Sequence, residues 1–162
     1  MKTEKRQGYI SWDEAFMQIA RLIAQRSKDP STQAGACIVN DKKIVIGLGY
    51  NGFPRGCSDE ALPWDRDGEN MCDTKYAYVV HAEENAVLNT ASSTDGATLY
   101  CTLYPCNNCA KVILQKGIKE IVYESDKYHD KPEWVASRRM LELAGITCRQ
   151  YVPENELILQ KK

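Results

Sequence analysis

Two short stretches of this sequence bring together the residue types that hold a metal and move a proton. One is His81-Ala82-Glu83 and the other is Pro105-Cys106-Asn107-Asn108-Cys109. Two cysteines three apart at the start of a helix put both sulfurs on one side, within reach of one ion. His81, opening a preceding helix, adds a nitrogen if the two helix N-termini lie side by side. Both termini favour anionic thiolates through their dipoles. One nitrogen and two sulfurs leave the fourth position of a tetrahedral zinc open to water, which is the arrangement of a catalytic ion. Zinc brings the pKa of such a water near neutrality. Glu83 is not needed as a ligand. It can take the water's proton and hand it to a departing amine, as general base and then general acid.

Blander readings compete. In a chain with seven cysteines, a C-x-x-C pair can arise by chance, as a redox pair, or as half of a closed structural site. A closed site needs a fourth ligand, and Cys57, Cys72, Cys101 or His129 could supply it. A redox pair needs no upstream His-x-Glu. The combined pattern, with proline before the first cysteine and a strand before the second helix, favours catalytic zinc.

The elements that must position these residues follow from periodicity. Ser11-Trp12-Asp13-Glu14 reads as a capping box opening a helix, with Phe16, Ile19, Ala20 and Ile23 on its apolar face. Asp29-Pro30 is expected to end that helix. Residues 36–39 and 44–48 read as a hairpin turning at Asn40-Asp41-Lys42. The Gly-, Pro-, Asn- and Asp-rich stretch 49–73 reads as a long functional loop. Then come a helix at 81–91, a strand at 98–102, a helix at 106–116 closed by Gly117 and a strand at 118–123. A helix at 133–144 closed by Gly145 and a strand at 146–152 complete the series. Strands alternating with helices imply an α/β layered fold with part of the sheet parallel, in one domain spanning 1–162.

The bulk numbers narrow the partners. The 162 residues are 43% hydrophobic and 27% charged, which suits a packed core. A net charge of −1 argues against a polynucleotide footprint. No apolar run is long enough to span a bilayer, and the charged start, 1–7, lacks the apolar stretch of a signal peptide. A cytoplasmic location is therefore expected. In that setting an odd number of cysteines points to metal ligation or free thiols instead of a disulfide framework.

The pattern H-x-E…P-C-x-x-C is the signature of zinc nucleobase deaminases. Here the chain resembles the cytidine and deoxycytidylate deaminase superfamily. The resemblance extends to Arg26-Ser27-Lys28-Asp29-Pro30-Ser31-Thr32, Gly49-Tyr50-Asn51-Gly52-Phe53-Pro54 and Ser125-Asp126-Lys127-Tyr128-His129, which look like deoxycytidylate deaminase segments. It implies a cytidine deaminase-like three-layer fold, with a central mixed five-stranded sheet and helices on both faces. It implies one zinc held by His81, Cys106 and Cys109. A hydroxide on that zinc would attack C4 of deoxycytidine monophosphate (dCMP), giving dUMP and ammonia for thymidylate synthesis, with Glu83 shuttling protons.

By the same resemblance, Arg26, Lys28, Thr32, Asn51, Ala82 and Tyr128 bind substrate. Asn51 would meet the sugar, and the segments around Arg26 to Thr32 and Tyr128 the phosphate, for which arginine offers a forked grip. Such enzymes are homo-hexamers activated by deoxycytidine triphosphate (dCTP) with Mg2+ and inhibited by thymidine triphosphate (dTTP). Asn51, Gly52, Phe53 and Arg55 are the candidate effector residues. Some members bind a second zinc through a histidine two before the catalytic one. Val79 stands there, which puts that form of second site in doubt; Cys57 and Cys72 share the long loop and could pair on another ion, but read better as buried or free thiols. The rival readings are a tRNA adenosine deaminase, which should carry a basic surface, and a non-catalytic zinc module, which should show a fourth protein ligand.

Overall fold

The computed structural model describes residues 3–162. Helix α1 (Trp12–Ala24) is followed by strands β1 (Gly35–Val39) and β2 (Val45–Tyr50), then α2 (Ala82–Leu88) and β3 (Thr98–Leu103). Helix α3 (Asn107–Gln115), strand β4 (Glu120–Ser125), helix α4 (Pro132–Leu143) and strand β5 (Thr147–Gln150) complete the order. The sheet runs β2-β1-β3-β4-β5. β1 is antiparallel to both β2 and β3, whereas β3, β4 and β5 are parallel. This is the mixed five-stranded sheet expected, with every helix and strand in the expected order.

The two faces follow from strand alternation. Cys37, Val39, Tyr100 and Val122 point to one face and pack on Phe16, Met17 and Ala20 of α1. Ala36, Ile38, Leu99, Cys101 and Ile121 point to the other, against Ala82, Ala86 and Val87 of α2, Ala110 and Ile113 of α3, and Leu141 of α4. One helix therefore covers one face and three cover the other. The two parallel crossovers β3-α3-β4 and β4-α4-β5 advance in one direction along the sheet. Their common hand puts α3 and α4 on the same side.

Several boundaries differ from expectation for identifiable reasons. Helix α1 stops at Ala24, well before Pro30; amides of Gln25, Arg26 and Ser27 close a tight turn onto Leu22, Ile23 and Ala24 carbonyls. Only half of the capping box forms. Ser11 accepts from the Glu14 amide at 3.1 Å, but the Glu14 carboxylate turns away. It accepts instead from the Tyr151 hydroxyl, the Glu154 and Asn155 amides and the Gln18 and Asn155 side chains, and so anchors the C-terminal segment. Gly117 and Gly145 close α3 and α4 at φ 72° and 70°. In each, the following amide bonds back to the helix, Ile118 to the Ile113 carbonyl and Ile146 to the Leu141 carbonyl.

Candidate active site

Sheet topology gathers the site at one edge. β3 and β4 end there. β1 runs antiparallel to β3 and so begins there, and β2 returns to end there, with Gly35 facing Tyr50. The loops leaving these ends meet in a cavity of about 140 Å³. A single water needs only about 10–15 Å³, so this space admits a small organic molecule. Thr32 and Ala34 come from before β1, Asn51 from after β2, Leu103, Tyr104 and Cys106 from the end of β3 and beyond, and Tyr128, Lys131 and Trp134 from after β4. His81, Ala82 and Glu83 enter from the start of α2, Arg66 from the long loop, and Lys75, Tyr76 and Val79 from the segment between that loop and α2.

Helix α2 is brought in by two glycines on one face of β2. A Cβ at Gly49 would lie 2.2 Å from both the Ala82 carbonyl and the Ala86 nitrogen, and one at Gly47 would lie 2.6 Å from the Ala86 carbonyl. The helix therefore rests directly on strand backbone, which fixes where its N-terminus points. The long loop is pinned at its base, where Gly52 and Val80 exchange both backbone hydrogen bonds at 3.1 and 2.9 Å. Val80 precedes His81 directly.

His81 and Cys106 are the N-cap residues of α2 and α3, and neither side chain caps its own helix. Both are turned instead toward a shared point. Cys109 sits one turn into α3 on the same side. The Cys106 and Cys109 sulfurs lie 3.4 and 3.5 Å from His81 Nδ1. A tetrahedral zinc with bonds of about 2.3 Å to sulfur and about 2.0 Å to nitrogen separates those atoms by about 3.5 Å, so the donor set fits zinc. Among the described residues no fourth His, Cys, Asp or Glu joins the group. Cys101 is buried and donates to the Val122 carbonyl, His129 faces Asp130 on the surface, and Cys57 and Cys72 are exposed free thiols. A closed structural site is thereby set aside.

The electrostatics match the geometry. The hydrogen bond from Cys109 and the adjacent His81 bring the Cys106 thiol down to about 4 against the effect of burial. The bond to Cys106 lifts His81 to about 9. Cys109 is pushed up by its bond to Cys106 and by burial. The Cys106 thiol is thus biased toward the thiolate that ligates metal, and a bound metal displaces the protons held by His81 and Cys109. Glu83 is 5% exposed, accepts from Cys109 Sγ at 3.6 Å, and is raised by burial.

The remaining sequence candidates divide. Thr32, Asn51, Ala82 and Tyr128 line the cavity. Arg26 is exposed and off it; Lys28 stands on the surface, paired with Asp59. Gly52, Phe53 and Arg55 also lie outside the cavity wall, with Phe53 stacked on Trp64 at 3.9 Å and Arg55 bonded to Asn89. Sequence reasoning missed Arg66, Lys75, Lys131, Tyr104 and Trp134. The basic residues among them resemble ordinary solvated loop residues when read singly. A search for cations flanking the motif segments would have found Lys131, three residues after Tyr128. Burial pushes the Tyr128 phenol up, but Thr32, Lys127 and the Arg66 charge outweigh it and hold it below its ordinary value.

Comparison with known proteins agrees with this geometry. Residues 10–125 match the cytidine and deoxycytidylate deaminase zinc-binding region. The chain is 54% identical to the deoxycytidylate deaminase of Mus musculus, over 96% of this chain and 88% of that protein. It is likewise 54% identical to that of Homo sapiens, over 93% and 85%. The dCMP deaminase of cyanophage S-TIM5, solved in complex with dCMP and dUMP, superposes with a TM-score of 0.67 at 27% identity, covering 85% of this chain and 95% of that one. A chain with this zinc triad, this buried glutamate and this likeness over most of its length belongs to the cytidine and deoxycytidylate deaminase family.

Proposed function

We propose that the protein deaminates dCMP, adding water at C4 of the ring and releasing ammonia to leave dUMP. One observation carries the reading. His81, Cys106 and Cys109 converge at the cavity with a buried Glu83 beside them and no fourth protein ligand among the described residues. The names of the mammalian relatives and the nucleotides in the phage enzyme support dCMP as substrate.

His81, Cys106 and Cys109 would hold the zinc ion, which when bound supplies a water acidic enough to react near neutral pH. Glu83 accepts that water's proton and returns it to the departing amino group. Its burial beside Cys109 keeps bulk water from the carboxylate between the two transfers. Tyr104 and Trp134 form an aromatic wall, fixed by Trp134 Nε1 donating to the Tyr104 carbonyl at 2.9 Å. Arg66 and Lys131, with Tyr128 and Thr32, offer the phosphate a cationic, hydroxyl-bearing wall. They support a phosphate grip more directly than Arg26 and Lys28, which stand off the cavity.

The finer parts of the reading rest on the family resemblance. They are activation by dCTP with Mg2+, inhibition by dTTP, an effector site at Asn51, Gly52, Phe53 and Arg55, a homo-hexamer of one-domain chains, and a cytoplasmic supply of dUMP for thymidylate synthesis. The formed Phe53–Trp64 stack favours a structured loop surface. No helix among the described residues is long and apolar enough to cross a membrane. Purified zinc-loaded protein should release one ammonia per dUMP formed from dCMP; no turnover with or without dCTP and Mg2+ would overturn the assignment.

A further inference from the structure

We propose that the buried Lys75–Asp29 pair is a hydroxyl-binding subsite of the cavity, reading the sugar of the nucleotide; the inference rests on the deaminase reading above. Lys75 and Asp29 are 5% and 3% exposed, and both line the cavity. Lys75 Nζ donates to Asp29 Oδ1 at 2.8 Å and to Oδ2 at 2.6 Å. A buried ion pair is often no more stabilising than apolar residues of the same volume, so folding alone gives little reason for it.

The hydrogen-bond inventory of the pair is incomplete at Lys75. An ammonium carries three N–H donors. Two are engaged by Asp29, and no other acceptor among the described residues bonds Nζ. The Tyr76 ring, itself in the cavity wall, has its centroid 5.8 Å from Nζ. On Asp29, Oδ1 also accepts from the Ser31 and Thr32 amides, and Oδ2 accepts from Lys75 and, at 3.4 Å, from Asn51 Nδ2. One buried donor on Lys75 Nζ thus remains, held beside an Asp29 carboxylate whose own acceptor sites are taken.

The group that suits this donor accepts a hydrogen bond without bringing negative charge against Asp29, and a hydroxyl does so. A phosphate only accepts, and it would meet the Asp29 charge. An amino group only donates. Asn51 braces the arrangement, its amide donating to the Thr32 carbonyl at 2.8 Å and accepting from the Ala34 amide at 2.8 Å. The Lys75 carbonyl accepts from the Val79 amide at 2.9 Å, two residues before His81, so the pair is tied mechanically to the metal-binding end of the cavity.

The 3′-hydroxyl is the one free hydroxyl on the sugar of dCMP, so 2′,3′-dideoxycytidine monophosphate is the probe. The wild-type protein should prefer dCMP by about 10- to 100-fold in kcat/KM, the range for a hydrogen bond to a charged group. In Asp29→Asn/Lys75→Met, which removes both charges together, the preference should fall to near unity. Lys75→Arg keeps the ion pair but displaces the free donor, so it should lower the preference at least about threefold even if the double variant does not fold. Equal use of both nucleotides by the wild type would overturn the subsite, as would an undiminished preference in either folded variant. Absence of dCMP turnover in the zinc-loaded wild type would instead overturn the deaminase reading beneath it.

Discussion

At the scale of single residues, the site depends on two N-cap positions that do not cap. A serine or aspartate at residue 81 or 106 would satisfy its own helix; His81 and Cys106 do not, and turn toward a common point instead. Cys106→Ala should therefore lose zinc outright and lower Tm, because metal binding contributes to folding, and metal analysis together with thermal melting checks both. The clustering of His81, Cys106 and Cys109 with Glu83 beside them was legible in the sequence because short spacing on a helix start converts directly into geometry. The Lys75–Asp29 pair was not: it joins residues 46 apart, and a lone lysine in a polar loop reads as solvated. Asn51 was named by resemblance; that it lines the cavity, and the bracing hydrogen bonds it makes there, appear only once the loops before β1 and after β2 meet.

At the scale of elements, the packing of α2 on β2 sets the position of His81. Gly49→Ala would drive a methyl into the Ala82 carbonyl and the Ala86 nitrogen, both backbone atoms with nowhere to rotate. The expected cost is about 1–3 kcal/mol of stability with a parallel loss of zinc affinity, readable by denaturant titration and competitive chelation. The glycines of β2 were visible in the sequence, yet nothing local said which helix would approach them.

Glu14 shows the opposite failure, a local motif overridden by distant partners. Burial works to raise its pKa, but hydrogen bonds from Gln18, Asn155, Glu154 and Tyr151 prevail and bring it to about 2 from an ordinary 4.5. A depressed carboxylate stabilises fully above its ordinary value and loses that contribution as pH falls through the folded one. Docking of the segment around Tyr151 to Asn155 should therefore weaken between about pH 4.5 and pH 2. Glu14→Gln should release it already at neutral pH. Proteolytic cleavage after Tyr151 at neutral pH reports the variant, and amide exchange of Glu154 and Asn155 reports the acid transition; a segment equally protected in both proteins would contradict this.

At the scale of the whole molecule, a mixed sheet brings four strand ends to one edge. That explains why residues from before β1, after β2, after β3 and after β4 share one cavity. The alternation of helices and strands was enough to anticipate the layers and the parallel half. The edge at which the loops meet depends on pairing partners, which periodicity does not encode. Because the metal joins the starts of α2 and α3, stripping it with a chelator should lower Tm by several degrees and restore it on adding zinc.

The most direct test compares the wild type with Glu83→Gln, each shown to carry one zinc, for conversion of dCMP to dUMP. Removing a positioned acid–base group costs about 10²- to 10⁴-fold, so the variant should keep its metal and its nucleotide binding while kcat falls by that factor. A zinc-loaded Glu83→Gln protein that turns over dCMP at close to the wild-type rate would contradict the proton-transfer role of Glu83.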